Sequence, residues 1–337
     1  MTSDRGPAPA VAAVRVAVRR LLVATQPAGV LVACSGGADS VALAAATAVE
    51  APKLDVPAGL VTVEHGLQAG SAEQAAAVAG LGRRLGLDPV RVCAAEVGTA
   101  GGPEAAARTA RYAALSAVLE SVGDGAASPR TGWAVLLGHT LDDQAETVLL
   151  GLGRGSGPRS VAGMRPVDGC WLRPLLGVRR EQTRDACAAE GLPVWDDPHN
   201  ADPRFTRARL RAEVLPLLED VLAGGAAEAL ARTAELLRDD LDALDALAAT
   251  VAGAMIDRRT VDAVALAAHP RAVRTRVLRD WIRAAGVAAP TSAQLRALDA
   301  LVTDWHGQGP VALPSGLAAR RASGRLHLDR STAGSAR

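Results

Sequence analysis

The apolar segment Gly29-Val30-Leu31-Val32-Ala33-Cys34 runs directly into Ser35-Gly36-Gly37-Ala38-Asp39-Ser40 and then into the alanine-rich segment Val41 to Val49. An apolar run, a glycine turn and a helical run in this order predict a strand, a phosphate-binding loop and a helix. The free N–H groups at the helix start and the helix dipole favour an anion there. The two glycines let the backbone approach phosphates, and the two serine hydroxyls add donors. The structural alternative is a serine-capped helix after a glycine turn.

Asp39 is the unusual member of this loop. A carboxylate beside phosphates requires a cation between them, so the sequence predicts Mg²⁺ at Asp39. The loop lacks the lysine of the GxxxxGK[ST] motif and is therefore a different kind of phosphate-binding loop.

Length and composition restrict the class of protein. The chain has 337 residues, enough for two domains, and a net charge of +1, so a nucleic-acid surface must be a local patch. No apolar segment reaches about eighteen residues and no signal peptide is evident, so neither a membrane span nor secretion is expected. The cysteines, at Cys34, Cys93, Cys170 and Cys187, form no CxxC pair. This favours a reduced, cytoplasmic protein without disulfides, structural zinc or an iron–sulfur cluster.

Short apolar runs alternate with helical patterns in the first half of the chain. The predicted strands are Val30–Ala33, Leu60–Val63, Val90–Cys93 and Trp133–Leu137, and the predicted helices are Asp39–Glu50, Ser71–Leu85 and Glu104–Glu120. This alternation indicates βαβ units and a parallel sheet, whose ligands bind at the C-terminal ends of the strands. We therefore expect an α/β fold with a Rossmann-like parallel sheet.

A second, smaller and mainly helical domain is expected after a boundary at 222–226. The catalytic domain would then be residues 1–222 and the C-terminal domain residues 227–337. Apolar residues at helical spacing predict that the C-terminal domain begins with a long amphipathic helix over Ala227–Val251. The remaining predicted elements are helices over Val273–Ala285 and Ser292–Trp305 and a hairpin of Leu317–Ala322 with Arg325–Leu328.

A second group of polar residues follows the predicted strand Trp133–Leu137. His139, Asp142, Asp143 and Glu146 have the spacing that places side chains on one side of the first turns of a helix. Several titratable groups at one strand end, beside a nucleotide site, indicate chemistry. Asp142 is a candidate cap of that helix, and acidic capping alone is the structural alternative.

Six arginines are candidate ligands for the phosphates of RNA or of a leaving pyrophosphate, namely Arg108, Arg111, Arg154, Arg204, Arg207 and Arg211. The spacing of the last three predicts one stripe along a helix, and the first two fall on adjacent faces of another helix. Arg154 belongs to the segment Gly151–Gly157, which predicts either a mobile loop or a helix stop. A solvated basic surface is the structural alternative.

The order of these motifs resembles that of the bacterial tRNA(Ile)-lysidine synthetases, which belong to the PP-loop ATP pyrophosphatase superfamily. The likeness is strong over about residues 28–220 and weak beyond them. Three positions depart from the family pattern, because Glu64 replaces Asp, Gln68 replaces Arg and Ala208 replaces Asn. The matching segments are Ser35–Ser40, Glu64–Leu67, Ser71–Glu73, Glu104–Tyr112, His139–Thr147, Arg154–Gly157, Arg173–Leu176, Gly191–Pro193, Asp197, Asn200, Asp202 and Arg207–Arg211.

The resemblance implies a ligase that uses ATP, Mg²⁺, free L-lysine and an isoleucine tRNA with a CAU anticodon. The cytosine O2 of the wobble cytidine attacks the α-phosphate, pyrophosphate leaves, and the ε-amine of lysine displaces AMP to form lysidine. The resemblance also implies that the C-terminal domain recognises tRNA, and the family includes homodimers.

The same resemblance assigns roles to the polar residues. The expected ATP-binding residues are Ser35, Gly36, Gly37, Ala38, Asp39, Ser40 and His65, and the expected catalytic residues are Asp39, His139, Asp142, Asp143 and Glu146. The lysine amine must lose a proton before it attacks, so Asp142 or Asp143 together with His139 is expected to act as the base. Glu146 is expected to hold the amine or Mg²⁺. For His65, a contact with nucleotide or cytosine and a purely structural role are both open.

Three other functions fit parts of the sequence. A PP-loop tRNA thiolase would share the loop, but such enzymes depend on paired cysteines or a cluster. An amidotransferase-fed synthetase would need an ammonia source, and no glutaminase nucleophile is evident. A nucleotide-binding protein without ligase activity would be expected to lose the second polar motif, which is intact over His139–Thr147.

Overall fold

The computed structural model describes residues 6–64, 70–95, 103–122, 132–155, 157–197, 202–257, 260–287 and 290–330. The chain divides into two compact units, Met1–Glu235 and Leu236–Arg337. Among the described residues, no helix has the length and apolar character needed to cross a membrane.

A six-stranded sheet forms the centre of the first unit, in the order β3-β2-β1-β4-β6-β5, and only the β5–β6 pair is antiparallel. Its strands are β1 (Gly29–Ala33), β2 (Ala58–Glu64), β3 (Val90–Ala94), β4 (Trp133–Leu137), β5 (Val167–Asp168) and β6 (Trp171–Leu172). Its helices are α1 (Pro9–Thr25), α2 (Ala38–Glu50), α3 (Ser71–Arg84), α4 (Pro103–Val122), α5 (Leu141–Arg154), α6 (Pro158–Val161), α7 (Arg180–Ala189), α8 (Thr206–Arg209) and α9 (Leu215–Val221).

Strand β1 is buried on both faces of the sheet, because helices cover each side. Val30 and Val32 belong to a core shared with α1 and α2, whereas Leu31 packs on the other face with Leu115 of α4. This double coverage explains why the strand is a continuous apolar run rather than an alternating one. The predicted α/β parallel sheet is confirmed, and the four predicted strands match the observed ones within two residues at each end.

The edge that carries the predicted site is set by strand register. Ala33 at the end of β1 pairs with Val61 of β2 and with Leu137 of β4, so the loops that follow β1 and β4 begin at the same edge. The chain leaves β1 toward β2 on one side, and β4 lies on the other side of β1. Such a reversal of strand order opens a crevice in which ligands of α/β proteins bind.

The opposite edge of this sheet holds the only lysine of the chain, Lys53. Helix α2 runs back from the phosphate-loop edge and ends at Glu50, whose side chain is fully buried. Glu50 accepts hydrogen bonds from Arg19 Nε at 2.6 Å and from Lys53 Nζ at 2.8 Å. Lys53 lies in the 3₁₀ turn Pro52–Leu54 that leads into β2.

The second unit combines helices with an antiparallel sheet in the order β7-β8-β11-β10-β9. The predicted hairpin and the two predicted helices are present, and the hairpin is the centre of this larger sheet. Residues from α12, α13 and β11, including Trp281, Leu298 and Leu326, share one buried core. The elements are β7 (Ile256–Asp257), β8 (Thr260–Asp262), α11 (Ala263–Ala267), α12 (Arg271–Ala284), α13 (Ser292–Thr303), β9 (Val311–Leu313), β10 (Leu317–Ala322) and β11 (Arg325–Arg330).

One long helix, α10 (Ala226–Met255), crosses the division between the units. Ala227 near its start packs with Leu141 and Leu215 of the first unit, whereas Ala248 and Val251 belong to the core of the second. The division into compact units therefore falls inside the helix, after its first turns. The domain boundary expected at 222–226 stays a prediction. Residues 222–225 immediately precede this helix, and Ala226 is its first residue.

Candidate active site

The loop after β1 has the backbone geometry of an anion-binding turn. Gly36 has a φ of +91°, a backbone conformation that other residues rarely adopt, so this position favours glycine. The Gly36 carbonyl accepts a hydrogen bond from the Trp195 N–H at 2.9 Å, which fixes the turn from the outside. Helix α2 then begins at Ala38 without a side-chain cap, and its first N–H groups lack acceptors within the helix.

The side chain of Ser40 forms hydrogen bonds within the loop. Its buried hydroxyl donates to the Gly37 carbonyl at 2.9 Å and accepts from the Ser35 N–H at 3.1 Å. The Ser40 hydroxyl therefore bonds within the loop, and a hydrogen bond from this hydroxyl to a phosphate stays a prediction. The Ser35 hydroxyl lies 3.4 Å from it, nearer the loop surface.

Asp39 follows this turn and points toward α7. Its carboxylate accepts hydrogen bonds from Nε of Arg180 at 3.3 Å and from the hydroxyl of Thr183. Burial raises the pKa of Asp39, although Arg180 and Thr183 act in the opposite direction. Gly138 approaches the backbone of Asp39 so closely that a Cβ would lie 3.2 Å from its carbonyl atoms, which brings the loop after β4 against this turn.

Helix α5 begins with a capping box made by Thr140 and Asp143. Asp143 Oδ2 accepts hydrogen bonds from the Thr140 N–H at 2.8 Å and from its hydroxyl at 2.9 Å, and the Asp143 N–H donates to that hydroxyl at 3.4 Å. The expectation that Asp142 caps this helix is wrong. Asp142 instead accepts the Arg180 N–H at 2.8 Å at the start of α7, and its other oxygen lies 3.3 Å from Arg179.

Three carboxylates from two helices surround one guanidinium group. Arg180 lies 2.6 Å from Asp143, 3.3 Å from Asp39 and 3.8 Å from Glu146. Arg211 binds both oxygens of Glu146, at 2.8 and 3.2 Å, and lies 3.4 Å from Asp143. The side chain of Glu146 is fully buried, whereas Asp39 and Asp143 keep some exposure. We call these five residues the acidic cluster.

The carboxylates of the acidic cluster differ in their affinity for protons. Burial opposes ionisation of Asp143, but Arg180 and the Thr140 N–H hold the pKa of Asp143 below its ordinary value. Burial raises the pKa of Glu146, and Arg211 only partly offsets this effect. Glu146 is therefore the stronger base of the two.

His139 is close enough to Asp143 of the acidic cluster and to several arginines for their charges to act on it. Burial lowers the pKa of His139 to about 3, helped by the charges of Arg173, Arg111 and Arg108 and opposed by Asp143. Its Nδ1 atom is buried and has no hydrogen-bond partner among the described residues. His139 is thus a neutral imidazole at pH 7, with a ring nitrogen that is not engaged by the described part of the protein.

Positive charge also collects near His139. Burial lowers the pKa of Arg111, and the neighbouring charges of Arg108 and Arg207 lower it further. Arg108 also stacks over the ring of Tyr112, with 5.0 Å between its Cζ atom and the ring centroid. Like charges held this close favour an anion between them. We call Arg108, Arg111 and Arg207 the basic cluster.

The predicted stripe of Arg204, Arg207 and Arg211 is not present. Arg204 precedes α8 and pairs with Asp202 at 2.6 Å, while the chain after α8 forms a π-helical turn over Leu210–Val214. The wider π turn breaks the 3.6-residue repeat on which the prediction depended, so Arg207 joins the basic cluster and Arg211 the acidic one.

Two other predicted site residues remain, Arg154 and His65. Arg154 is exposed in the last turn of α5, and the helix ends at Gly155 with a φ of +59°, so the segment is a helix stop. His65 lies outside the described residues, and its role stays a prediction.

Arg180 and Thr183 are site residues that the sequence analysis did not single out. Both lie at the start of α7, which was not predicted, about forty positions after the second motif. The sequence did contain a signal for these residues, because Arg179 and Arg180 follow closely after the matching segment Arg173–Leu176. Among the described residues, no group of three His, Cys, Asp or Glu side chains has the geometry of a metal site, and all four cysteines are free.

Asp39 fits a Mg²⁺ ion that is carried mainly by phosphates. Such ions use only one or two protein carboxylates and complete their coordination with phosphate oxygens and water. The raised pKa of Asp39 shows a buried carboxylate whose charge is only partly compensated by Arg180 and Thr183.

Two family models match this chain. Residues 12–218 match the family model of a PP-loop domain, and residues 262–327 match that of the TilS substrate binding domain. A tRNA(Ile)-lysidine synthase of Thermobifida fusca (strain YX) is 55% identical over 327 residues, covering 95% of this chain and 98% of the relative. That of Streptomyces coelicolor is 52% identical over 357 residues, with 95% and 98% covered.

Among solved structures, the chain is similar to the U34-tRNA thiolase NcsA from Methanococcus maripaludis, with a TM-score of 0.54 and 17% identity. The match covers 68% of this chain and 80% of the thiolase and supports the fold alone. The two family models cover both units, and the relatives are similar over nearly the whole length. The chain belongs to the tRNA(Ile)-lysidine synthase family.

Proposed function

We propose that this protein uses ATP to adenylate the wobble cytidine of isoleucine tRNA with a CAU anticodon and then replaces AMP by lysine. The observation that carries the proposal is the contact of one guanidinium with carboxylates of both motifs. Arg180 joins Asp39 of the phosphate loop to Asp143 and Glu146 of α5. A nucleotide on the loop and an amine on the acidic cluster would therefore meet in the same crevice.

The first step needs an anion-binding site and stabilisation of the leaving pyrophosphate. The uncapped start of α2 and the backbone of Gly36 and Gly37 supply N–H donors for phosphate oxygens. Asp39 would hold Mg²⁺, which neutralises charge on the phosphates when bound. The cytosine O2 then attacks the α-phosphate, and pyrophosphate leaves.

The second step needs a neutral amine next to the adenylated base. Asp143, which is ionised and partly exposed, is placed to hold the ammonium group of lysine. The proton then passes to the pair of Asp143 and Glu146, in which Glu146 is the stronger base because of its burial. His139 is too weak a proton acceptor for this task. Its neutral ring is suited to accept a hydrogen bond from the lysine amine or from the cytosine.

The basic cluster would bind RNA phosphates around the target nucleotide. It lies beside His139 and therefore beside the acidic cluster, as the charges acting on His139 show. A wobble base is unpaired in the anticodon loop, so the enzyme reaches it without opening a duplex. Arginine is suited to this task because its planar donors bind phosphate in pairs.

The direct test is incorporation of labelled lysine into RNA. We expect the purified protein with ATP, Mg²⁺ and an unmodified CAU isoleucine tRNA to transfer label to the tRNA and to release AMP and pyrophosphate. The control is the same tRNA with uridine in place of the wobble cytidine, which should remain unlabelled. Absence of label, or a modification that requires a sulfur donor, would contradict the proposal.

A further inference from the structure

Arg180 occupies the place where the proposed function requires a substrate cation. Its guanidinium lies 2.6 Å from Asp143, the carboxylate proposed to hold the lysine ammonium, and 3.8 Å from Glu146. An ammonium group has the same preference for these oxygens as a guanidinium group. The two cations therefore compete for the same acceptors.

The side chain of Arg180 is incompletely satisfied in this position. Its Nη1 atom is buried and has no hydrogen-bond acceptor among the described residues, and a carboxylate oxygen of Glu146 lies 3.8 Å from it, beyond hydrogen-bond distance. A buried donor without an acceptor is destabilising. A new acceptor close by would thus draw the guanidinium away from its present place.

The backbone of Arg180, in contrast, is fixed. Its N–H donates to Asp142 at 2.8 Å, and its carbonyl accepts from the Thr183 hydroxyl at 2.7 Å. The base of the side chain is therefore anchored at the start of α7, and a long, flexible side chain can turn about this anchor. The side chain already reaches Asp39 in the phosphate loop at 3.3 Å, so a phosphate held by that loop would be within its range.

The charge of the acidic cluster also favours such an exchange. Three carboxylates face the two guanidinium groups of Arg180 and Arg211. When all five groups are ionised, the cluster lacks one positive charge. A substrate amine can enter without removing Arg180 entirely, provided that the guanidinium moves to a new anion.

We propose that Arg180 is a resident counter-ion of the amine subsite, which lysine displaces and which then turns to a phosphate oxygen of the bound nucleotide. The inference rests on the proposed function, because it assumes that lysine and a nucleotide both bind here. Arg180 acts as a positioning residue that couples the two sites. Nucleotide binding frees the carboxylates, so lysine binds more tightly after the nucleotide, and by linkage the nucleotide binds more tightly after lysine.

The coupling can be measured by calorimetric titration of lysine into the full-length protein at pH 8 with Mg²⁺, with and without a non-hydrolysable ATP analogue. For the unmodified protein we expect the analogue to lower the Kd for lysine by roughly fivefold or more. For Arg180→Gln we expect a Kd without analogue that is already lower by a similar factor, and no further decrease with the analogue. Arg180→Lys retains a cation and should preserve the coupling.

The matched control is Arg184→Gln, one turn further along α7. Arg184 is more than half exposed and pairs with Asp196, so its removal should leave both Kd values unchanged. If Arg180→Gln bound lysine equally or less tightly without the analogue, or kept the coupling, the counter-ion role would be wrong. If lysine and the analogue showed no coupling in the unmodified protein, the counter-ion role would also be wrong, even if Arg180→Gln failed to fold.

The labelled-lysine assay separates this inference from the proposed function. If the unmodified protein incorporates lysine into tRNA while Arg180→Gln shows no change in lysine affinity, only the counter-ion role is wrong. If the unmodified protein neither binds nor incorporates lysine, both proposals are wrong.

Discussion

Two adjacent aspartates illustrate how contacts, rather than residue type, assign a role. Asp142 accepts the N–H of Arg180 and pairs with Arg179, which makes it part of the support for α7. Asp143 closes the capping box with one oxygen and directs the other toward Arg180. Of these two aspartates, therefore, only Asp143 directs a carboxylate oxygen toward the guanidinium of Arg180.

The two positions should respond differently to loss of charge. We expect Asp142→Asn to lower the free energy of unfolding by about 1 kcal/mol, because it loses only a partly exposed ion pair, and to change kcat little. We expect Asp143→Asn to lower kcat by about 10²–10⁴, the usual contribution of a group that transfers a proton. Urea unfolding and steady-state lysidine formation would measure these effects. Equal losses of kcat in the two variants would contradict the assignment.

His139 provides a pH-dependent test. Its pKa is lowered to about 3 in the folded protein, against about 6.5 in an unfolded chain. Between these values the unfolded chain binds a proton that the folded protein does not, so folding stability falls as the pH falls. We expect His139 to lower the free energy of unfolding by about 2 kcal/mol when the pH falls from 7 to 5.

The measurement compares urea unfolding of the unmodified protein and His139→Gln at these two pH values. The variant should show the shallower pH dependence. Ring ¹⁵N shifts should also show His139 neutral at pH 5. Titration of its ring near pH 6.5 would contradict the burial argument.

The sequence was sufficient to place Asp39, His139 and Asp143 at one edge, because neighbouring parallel strands end together. It was not sufficient to distinguish Asp142 from Asp143. That distinction depends on Arg180 and on the start of α7, a ten-residue helix with few apolar residues. A contact between segments so far apart along the chain has no local pattern.

At the scale of single elements, the start of α5 depends on its capping box. Thr140 is fully buried, and its hydroxyl donates to Asp143 at 2.9 Å. We expect Thr140→Val, which has nearly the same shape, to lower the free energy of unfolding by about 1 kcal/mol, the typical value of an N-cap.

Thr147→Val on the same helix is the matched control. The Thr147 hydroxyl donates only to the carbonyl of Asp143 within the helix, at 2.8 Å. Bonds of this kind contribute little to helix stability, so its urea unfolding midpoint should stay close to that of the unmodified protein. Equal losses in both variants would show that the cap is not the important contact.

The segment that contains Arg207 and Arg211 shows where helical periodicity fails. Spacings of three and four residues predict one face only if the helix is regular. The π turn over Leu210–Val214 adds a residue to the repeat and turns Arg211 toward Glu146. Pro216 follows this turn in the same helical stretch, and a proline disturbs the helix up to four residues before it, so the sequence did contain a signal of the irregularity.

At the scale of the whole molecule, the net charge of +1 provides no general attraction for RNA. Binding should therefore depend on local groups such as the basic cluster. We expect Arg111→Gln to reduce the slope of log K against log salt concentration for tRNA binding by about one unit, because one phosphate contact is lost. Filter binding at several salt concentrations would measure this slope, with Arg184→Gln as the control. An unchanged slope would show that Arg111 does not contact RNA phosphate.

The two units differ in how far the sequence predicted them. The parallel sheet of the first unit was predicted because each of its strands is a separate apolar run. In the second unit the central hairpin was predicted, but β7, β8 and β9 are only two or three residues long, and β8 pairs with β11, which is distant along the chain. Strands of this length are too short to show an alternation of apolar and polar residues, so the complete sheet could not be predicted from the sequence.

The position of Lys53 has a practical consequence for experiments on this protein. Amine-directed acylating reagents find a single side-chain target, since arginine carries all other basic side-chain charge apart from the histidines. That target is half exposed and lies at the edge of the sheet opposite the phosphate loop. A fluorophore or a solid support coupled through Lys53 would therefore leave the crevice facing solution, and mild blocking of the N-terminal amine would make the attachment uniform.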